Sequence, residues 1–587
     1  MMRALMLSTM TAVAVTGSAP VQLAGPAQAQ PVAERERGLD PDRICARYLN
    51  ADLADADFGG GYAPRVMGPP QQPVPVPMPV PAPQIVQQHS NEIAVTGQRT
   101  TRPTTGAVRG MPMPRGEDRE RYDGEEVAAV QAVADAPVST FGVDVDTGSY
   151  ANVRRFLQDG RMPPQAAVRT EEMLNYFRYD YPLPGDRSRP FSITTDVTTT
   201  PWNPQTRLLR VGLRGYDVAR RERPAANLVF LVDVSGSMMS RDKLPLVQCS
   251  LALLAEQMNP RDRVSIVVYA GAAGKVLDPT GDPRRVQEAL GRLQAGGSTA
   301  GAEGIALAYK TARENCVEGG INRVVLTTDG DFNVGVSNND ALVDMVERER
   351  KSGIQLTTLG FGTGNYNEAM MEQIADHGNG NYAYIDSPRE AQKVLSQELS
   401  STLFTIAQDV KMQVEFNPAQ VAEYRLIGYE NRALLEQDFA NDAVDAGDIG
   451  AGHQVTALYE IVPAGGRGWM PERRYEANRR SAQGRPDGEL AHLRLRYKLP
   501  GQDQSRLIEQ PLAAGLIRAA RAPAGDTAFA VAVAAYGQLL RGDTHLGSFG
   551  FADARALAGR ANLGDWWRRE FLRLTQAAER GGQRAER

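Results

Sequence analysis

The sequence predicts a doubly wound α/β domain with a mainly parallel sheet, inserted in a flanking β-sandwich and followed by a C-terminal helical segment. Three observations support this fold class. Strand and helix patterns alternate regularly over residues 226–405, which is typical of a parallel sheet covered by helices. Strand patterns of period 2 lie on both sides of that region, so the two flanks could pair into one sandwich. From about residue 526 the pattern is helical.

Four apolar runs predict the central strands of the α/β domain. They are apolar almost throughout, as strands buried on both faces must be, and they span 227–233, 263–269, 323–329 and 354–361. Helical patterns lie around them at 243–258, 284–293, 299–316, 340–351 and 367–376. Sheets of this class bind ligands at the carboxyl ends of their strands, so we expect the functional residues at that edge.

The flanks show shorter elements. Half-buried strands are predicted at 191–198, 207–213, 410–416, 424–429, 455–462 and 490–499, and helices at 149–160, 169–177, 529–540 and from Trp566 onward. The loop from Asp144 to Ser149 looks like a second metal loop. However, carboxylates and hydroxyls before a helix commonly cap its first turn, and we predict capping for this loop.

Composition excludes several classes of protein. Hydrophobic residues make up 42% and charged residues 23% of the 587 residues, as in ordinary globular proteins of several domains. A net charge of -5 argues against binding to nucleic acid or to an anionic membrane surface. The three cysteines, Cys45, Cys249 and Cys316, form neither a zinc pattern nor an evident disulfide framework. Cys249 and Cys316 fall in helical stretches, where we expect small buried thiols.

The N-terminal part of the chain is predicted to direct export. Residues 1–29 contain one arginine, a short apolar stretch and a final Ala27-Gln28-Ala29, which together indicate a secretory signal rather than a membrane anchor. No later segment is apolar enough to span a bilayer. Residues 30–130 are rich in Pro, Gly, Gln and Arg and are predicted to be a disordered linker. In it, the proline run 69–81 would extend over about 40 Å as polyproline II. We expect a protein of the periplasm or cell surface, ordered from Ser139.

Oxygen-bearing side chains gather on three loops of the predicted α/β domain. Asp233, Ser235 and Ser237 follow the first central strand, Thr299 begins a long helical pattern, and Asp329 ends the third strand. The first loop alone could be a helix cap. Since neighbouring strand ends meet at one edge, the three loops together predict a metal site. Its hydroxyl and carboxylate oxygens suit Mg²⁺, with Mn²⁺ or Ca²⁺ as alternatives.

The strings DVSGS, GGST and TTDG resemble the metal-ion-dependent adhesion site of von Willebrand factor type A (VWA) domains. The resemblance implies that Ser235, Ser237 and Thr299 are direct ligands, while Asp233 and Asp329 act through water or hydrogen bonds. It also implies that an acidic side chain of a partner protein completes the metal shell. Asp331, which follows the third loop, departs from the simplest motif, and we assign it to a turn.

The flanks carry a second resemblance. The strings at 140–150, 171–177, 424–431 and 456–462 look like those of a bacterial YfbK-like group of VWA proteins. This resemblance implies an N-terminal flanking region at 139–223, a VWA domain at 224–408, a β-rich flanking domain at 409–512 and C-terminal helices at 526–580.

These observations predict an exported, non-enzymatic protein that binds a partner protein through a metal ion. Two alternatives remain open. The protein could be an envelope scaffold in which the metal only stabilises the domain, or a serine hydrolase using Ser235 or Ser237. The chain contains no G-x-S-x-G elbow, no HExxH motif and no phosphate-binding loop, and its five histidines lie outside recognisable catalytic motifs, so we expect no enzyme.

Overall fold

The computed structural model describes residues 41–49, 120–143, 145–219, 221–298, 301–330, 339–471 and 488–585. The predicted signal peptide, the proline run, Asp144, Thr299 and Asp331 lie outside these residues. The helices are α1 (Pro41–Leu49), α2 (Gly148–Gln158), α3 (Thr170–Asn175), α4 (Leu244–Ala255), α5 (Pro283–Leu290), α6 (Gly301–Glu314), α7 (Asn339–Lys351), α8 (Glu368–His377), α9 (Pro388–Gln392), α10 (Leu399–Leu403), α11 (Gly515–Ala519), α12 (Gly525–Arg541), α13 (Phe551–Ala558) and α14 (Trp566–Ala585).

The strands are β1 (Gln131–Ala132), β2 (Val138–Gly142), β3 (Phe191–Thr199), β4 (Arg207–Gly215), β5 (Ala226–Asp233), β6 (Arg263–Tyr269), β7 (Ala273–Thr280), β8 (Ile321–Thr328), β9 (Gln355–Phe361), β10 (Tyr382–Ile385), β11 (Thr405–Phe416), β12 (Val421–Ile427), β13 (Ile449–Gly450), β14 (Gln454–Pro463), β15 (Glu489–Lys498) and β16 (Ser505–Ala513).

The α/β domain is built on a six-stranded sheet of order β10-β9-β8-β5-β6-β7, in which only β7 runs antiparallel to its neighbour. Every residue of the central strand β5 is buried. Its alternate side chains face two separate cores: Leu228 and Phe230 pack with α4 and α5, whereas Val229 and Leu231 pack with α6 and α7. The predicted doubly wound sheet is therefore confirmed. The strands β7 and β10 were not predicted.

The flanks form the predicted β-sandwich. One sheet has the order β1-β12-β14-β4-β3, and the other has β13-β11-β15-β16 with β2 also paired to β11. Strands from both sides of the α/β domain pair directly, since β4 runs antiparallel to β14 and β2 antiparallel to β11. Apolar side chains of both sheets share one core. The α/β domain is thus inserted into a sandwich that its own flanks complete.

The C-terminal helices cover the outer face of the first sheet. Leu208, Ile427 and Leu458 of that sheet share a core with α12 and α14. Helix α12 is buried from Thr527 to Gln538, which explains why its sequence is apolar on almost every side. The predicted C-terminal helical segment is confirmed. Among the described residues, no helix combines the length and apolar character that a membrane crossing requires.

Helix α1 and the segment from Glu120 correct the prediction of a linker disordered from residue 30 to 130. Helix α1 packs against α4 through Ile44, Cys45 and Tyr48, and Arg121 pairs with Asn367 in a parallel bridge. A nine-residue helix within a Pro/Gly-rich region gives only a weak periodic signal, and this one is ordered by tertiary packing.

The prediction of small buried thiols is correct only for the burial of Cys249; its free state and the burial of Cys316 are wrong. Cys45 of α1 and Cys249 of α4 form a disulfide bond over a sequence separation of 204 residues. Cys316 is a free thiol, but it is exposed just beyond the end of α6. Cysteines so far apart in the chain give no pairing signal until the fold brings them together.

The capping role predicted for the loop before α2 is wrong for the residues described. Thr147, at the N-cap position, makes no side-chain capping bond. The backbone N–H of Ser149 instead donates to Glu172 Oε2 of α3 at 2.8 Å. Asp146 accepts from the backbone N–H of Tyr382 in β10 at 2.9 Å and pairs with Arg432 at 3.2 Å. This loop therefore joins the inserted domain to the flanks.

A candidate metal centre at the edge of the α/β sheet

The first loop of the site holds two hydroxyls over a buried carboxylate. Strand β5 is apolar from Leu228 to Val232 and ends at Asp233, whose side chain is completely buried. Asp233 Oδ1 accepts from the backbone N–H of Ser235 at 2.8 Å, and Oδ2 accepts from the Thr328 hydroxyl at 3.3 Å. The hydroxyl oxygens of Ser235 and Ser237 lie 3.0 Å apart. Since Ser235 is buried and Ser237 is exposed, the hydroxyl pair connects the buried carboxylate to the surface.

The second loop is joined to the first by backbone hydrogen bonds. Gly236 N–H donates to the carbonyl of Gly297 at 3.0 Å, and Gly296 N–H donates to the carbonyl of Val234 at 2.8 Å. Gly297 has a φ of +86°, a conformation that glycine adopts without steric cost. Thr299 follows just outside the described residues, so its role as a ligand stays a prediction. Gly296 and Gly297 do lie against the first loop.

The third loop places a second buried carboxylate beside β5. Strand β8 is paired with β5 and ends at Thr328, so Asp329 follows at the same edge of the sheet. Asp329 is completely buried. Its Oδ2 accepts from Lys243 Nζ at 2.8 Å and from Asn365 Nδ2 at 3.4 Å. The structure thus brings Asp233, Ser235 and Ser237 together with Asp329 at one edge.

The electrostatics of this edge favour a bound cation. Burial, with a smaller contribution from the charge of Asp329, raises the pKa of the Asp233 carboxyl to about 6 against the opposing hydrogen bonds from Ser235. A neighbouring cation would relieve both the burial cost and the repulsion. Hydroxyl and carboxylate oxygens are ligands that hard divalent cations prefer, so the donor set fits Mg²⁺. This donor set depends on serine hydroxyls, because the described residues contain no cluster of three or more His, Cys, Asp or Glu that could hold a metal ion.

Three features of the site gave no motif in the sequence. Lys243 precedes α4, and Asn365 lies in the loop after β9, yet both contact Asp329. The segment at Glu120 supports that loop from outside, because Glu120 Oε1 accepts from the backbone N–H of Gly364 at 3.0 Å and Arg121 N–H donates to the Tyr366 carbonyl at 2.9 Å. Isolated polar residues at such separations become recognisable only when the fold is known.

The geometry gives no support to a serine hydrolase. The Ser235 and Ser237 hydroxyls bond to each other. In the part of the chain that the structure describes, neither is hydrogen-bonded to a histidine, whereas a nucleophilic serine needs a base within hydrogen-bond reach.

Family models match three parts of the chain. Residues 228–331 match the model described as von Willebrand factor type A domain, and residues 116–210 match one described as von Willebrand factor. Residues 401–580 match the model described as Uncharacterized protein YfbK, C-terminal. The first match spans all three loops of the candidate site.

One relative is similar over most of its length. The chain is 43% identical over 508 residues to "Uncharacterized protein YfbK" of Escherichia coli, covering 84% of this chain and 88% of the relative. Other similarities are partial. Inter-alpha-trypsin inhibitor heavy chain H3 of Homo sapiens is 29% identical over 233 residues, or 37% of this chain and 25% of that protein.

Solved structures show weaker similarity. A von Willebrand factor type A structure from Catenulispora acidiphila is 16% identical with a TM-score of 0.34, covering 59% of this chain and 76% of that one. The conserved hypothetical protein BatB from Bacteroides thetaiotaomicron is 24% identical with a TM-score of 0.27, covering 30% of this chain and 98% of its own. The sheet order and the match to the von Willebrand factor type A model identify the fold of the α/β domain.

Proposed function

Because the chain belongs to the YfbK family of von Willebrand factor type A domain proteins, we propose that it binds a partner protein through a divalent cation at the edge of its VWA sheet. Ser235, Ser237 and Thr299 would be the direct ligands, with Asp233 and Asp329 behind them. The bound ion would act as a Lewis acid that accepts one carboxylate oxygen of the partner. Mg²⁺ is the favoured ion, with Mn²⁺ or Ca²⁺ as alternatives.

The observation that carries this proposal is the Ser235–Ser237 hydroxyl pair. It is positioned over Asp233, with Ser235 buried and Ser237 exposed to solvent. An ion held there would have protein oxygens on its inner side and an accessible outer side. That arrangement supports capture of a ligand from solution rather than a closed structural site.

We propose that the protein is exported behind residues 1–29 and acts in the periplasm or at the cell surface. The Cys45–Cys249 disulfide supports this location, since disulfides persist in oxidising compartments and are rare in reducing ones. We also propose that the protein performs no catalysis, because in the described part of the chain neither Ser235 nor Ser237 is hydrogen-bonded to a histidine that could act as its base.

The first experiment measures metal binding. Addition of Mg²⁺ to the metal-stripped protein should raise its melting temperature, because an ion that binds only the folded state stabilises it. Asp233→Ala and Ser237→Ala should reduce or remove this rise. Ser240→Ala is the matched control, since its exposed hydroxyl bonds to Asp242 rather than to the site, and it should respond to Mg²⁺ as the unmodified protein does.

The second experiment measures partner binding. The purified protein should capture a partner from envelope extract in the presence of Mg²⁺, and both EDTA and Asp233→Ala should abolish the capture. If capture survives in Asp233→Ala while the stabilisation by Mg²⁺ is lost, the metal is structural and the adhesion proposal is wrong. Turnover of ester or peptide substrates that Ser237→Ala removes would instead identify a hydrolase.

A further inference from the structure

Lys243 is a buried cation held against the candidate metal site. Its side chain is 8% exposed, and its Nζ donates to Asp329 Oδ2 at 2.8 Å. The same Nζ donates to Asn365 Oδ1 at 3.3 Å, while Asn365 Nδ2 donates to Asp329 Oδ2 at 3.4 Å. The ammonium, the amide and the carboxylate therefore form a closed triangle of hydrogen bonds.

The path of the lysine side chain is built into the fold. Gly362 has a φ of +72°, and a Cβ at this position would lie 2.3 Å from Lys243 Cγ and 2.6 Å from its Cε. A side chain at residue 362 would therefore displace the lysine stem from its present path. Since lysine is rarely buried unless it is paired, a glycine that makes room for its stem indicates a specific position for this cation.

Lys243 changes the summed charge of the groups at the candidate metal site. Asp233 and Asp329 carry two negative charges when ionised and Lys243 carries one positive charge, so the three groups sum to one negative charge. A divalent cation would bring the sum to one positive charge. Without Lys243 the charges of the ion and the two carboxylates would sum to zero. Coulomb interactions among buried or partly buried groups act at an effective dielectric constant well below that of water. The single charge of Lys243 should therefore change the affinity of the site for both cations and anions.

We propose that Lys243 is a specificity-determining residue that makes the metal-loaded site more positive by one charge, so that it selects an anionic ligand at the expense of metal affinity. This inference rests on the proposed metal-dependent function. It assigns to Lys243 two opposite effects: its charge weakens binding of the divalent ion by repulsion, and it strengthens binding of a carboxylate by attraction. A residue that merely held Asp329 in place would strengthen both.

The test uses the full-length mature protein and Mn²⁺. Isothermal titration calorimetry measures the affinity for Mn²⁺, and the relaxation rate of water protons reports the water molecules on the bound ion. Acetate serves as the carboxylate probe, because its entry displaces metal-bound water and lowers the relaxation rate. In Lys243→Met, Mn²⁺ should bind at least about tenfold more tightly and acetate at least about tenfold more weakly than in the unmodified protein. Lys243→Arg, which retains the charge, should stay near the unmodified protein in both measurements.

The outcomes separate this inference from the function on which it rests. If the unmodified protein does not bind Mn²⁺, the proposed function fails. If it binds Mn²⁺ but Lys243→Met binds the ion more weakly or equally, Lys243 only positions Asp329 and the inference is wrong. Lys243→Gln keeps a hydrogen-bonding side chain without the charge, and it should show the same opposite changes if Lys243→Met does not fold.

Discussion

Arg154 and Asp386 form a two-point ion pair between α2 and the loop after β10. Arg154 Nη2 lies 2.6 Å from Asp386 Oδ1, and Nε lies 2.7 Å from Oδ2. The same guanidinium contacts Glu390 at 2.6 Å and Glu570 of α14 at 3.2 Å. One buried cation therefore joins the N-terminal flank, the VWA domain and the last helix.

Replacement of Arg154 by Met should strongly destabilise the protein. The change leaves Asp386, Glu390 and Glu570 close together and largely buried without their shared cation, and losing one partner of a buried pair costs about 3–5 kcal/mol. Urea denaturation gives the measurement. Arg187→Met is the control, because the Arg187–Glu222 pair is 60% and 57% exposed and should be worth less than about 1 kcal/mol. Equal losses in the two variants would contradict a structural role for Arg154.

Glu368 should make stability depend on pH. It is completely buried at the start of α8, with Arg169 Nε 4.0 Å away, and burial raises the pKa of its carboxyl to about 8 from an ordinary value of 4.5. Because the folded-state pKa lies above the unfolded value, the contribution to stability is fully present below about pH 4.5. It is lost as the pH rises from there to about 8.

Glu368→Gln keeps the neutral form at every pH and should therefore remove this dependence. One unit of pKa shift corresponds to about 1.4 kcal/mol, so the variant should be more stable than the unmodified protein at pH 8.5 by at least about that amount. The two should be similar near pH 5. Urea denaturation at both pH values checks the prediction, with Glu314→Gln, an exposed carboxyl on α6, as the control. If the free energy of unfolding changed equally with pH in the unmodified protein and in Glu368→Gln, the prediction would be wrong.

The disulfide between Cys45 and Cys249 should stabilise the packing of α1 on α4. Cys45→Ser, or reduction of the unmodified protein, should cost about 2–5 kcal/mol, as is usual for a native disulfide that closes a long loop. Denaturation with and without reductant measures the loss. Cys316→Ser should be nearly neutral because that thiol is exposed. Thiol titration of the denatured, unreduced protein should find one free thiol, and finding three would contradict the bond.

Gly330 should tolerate no side chain. Its φ is +90°, and an added Cβ would lie 2.5 Å from the backbone nitrogen of Asn367 and 2.8 Å from Tyr366 Cα. Gly330→Ala should cost roughly 3 kcal/mol from the backbone conformation and the overpacking together, and it should weaken the effect of Mg²⁺ on melting. Gly353→Ala is the matched control: its φ is +87° with nothing within 4 Å of the added Cβ, so only about 1–2 kcal/mol is expected. Equal melting temperatures for the two variants would show that the contact of the added Cβ with Asn367 and Tyr366 costs no stability.

The fold class could be predicted because its signals are local and periodic. The strand patterns at 227–233 and 323–329 correspond to β5 and β8, both of which are buried on every residue. Strand β7 was missed because it is an edge strand with several exposed residues and so lacks a clear apolar run. Helix α1 was missed because nine residues form a stable helix only when α4 is present to pack against.

The site could be predicted only as far as its motif extends. Asp233, Ser235, Ser237 and Asp329 lie on strand-end loops, and the parallel sheet brings such loops together by topology. Lys243 and Asn365 reach Asp329 because the residues before α4 contact the loop after β9, which no spacing in the sequence encodes. The disulfide follows from the same kind of long-range packing, between positions 204 residues apart.

The two anchored ends of the N-terminal segment have a consequence for proteolysis. Helix α1 is covalently bound to α4 at Cys249, and Arg121 is paired with Asn367, so residues 50–119 connect two points on the same body. A protease that cuts once within this segment would separate the polypeptide into two pieces that the sulfur bridge still holds together. Electrophoresis would then show one band without reductant and two with it. Release of the N-terminal fragment would require reduction as well as cleavage.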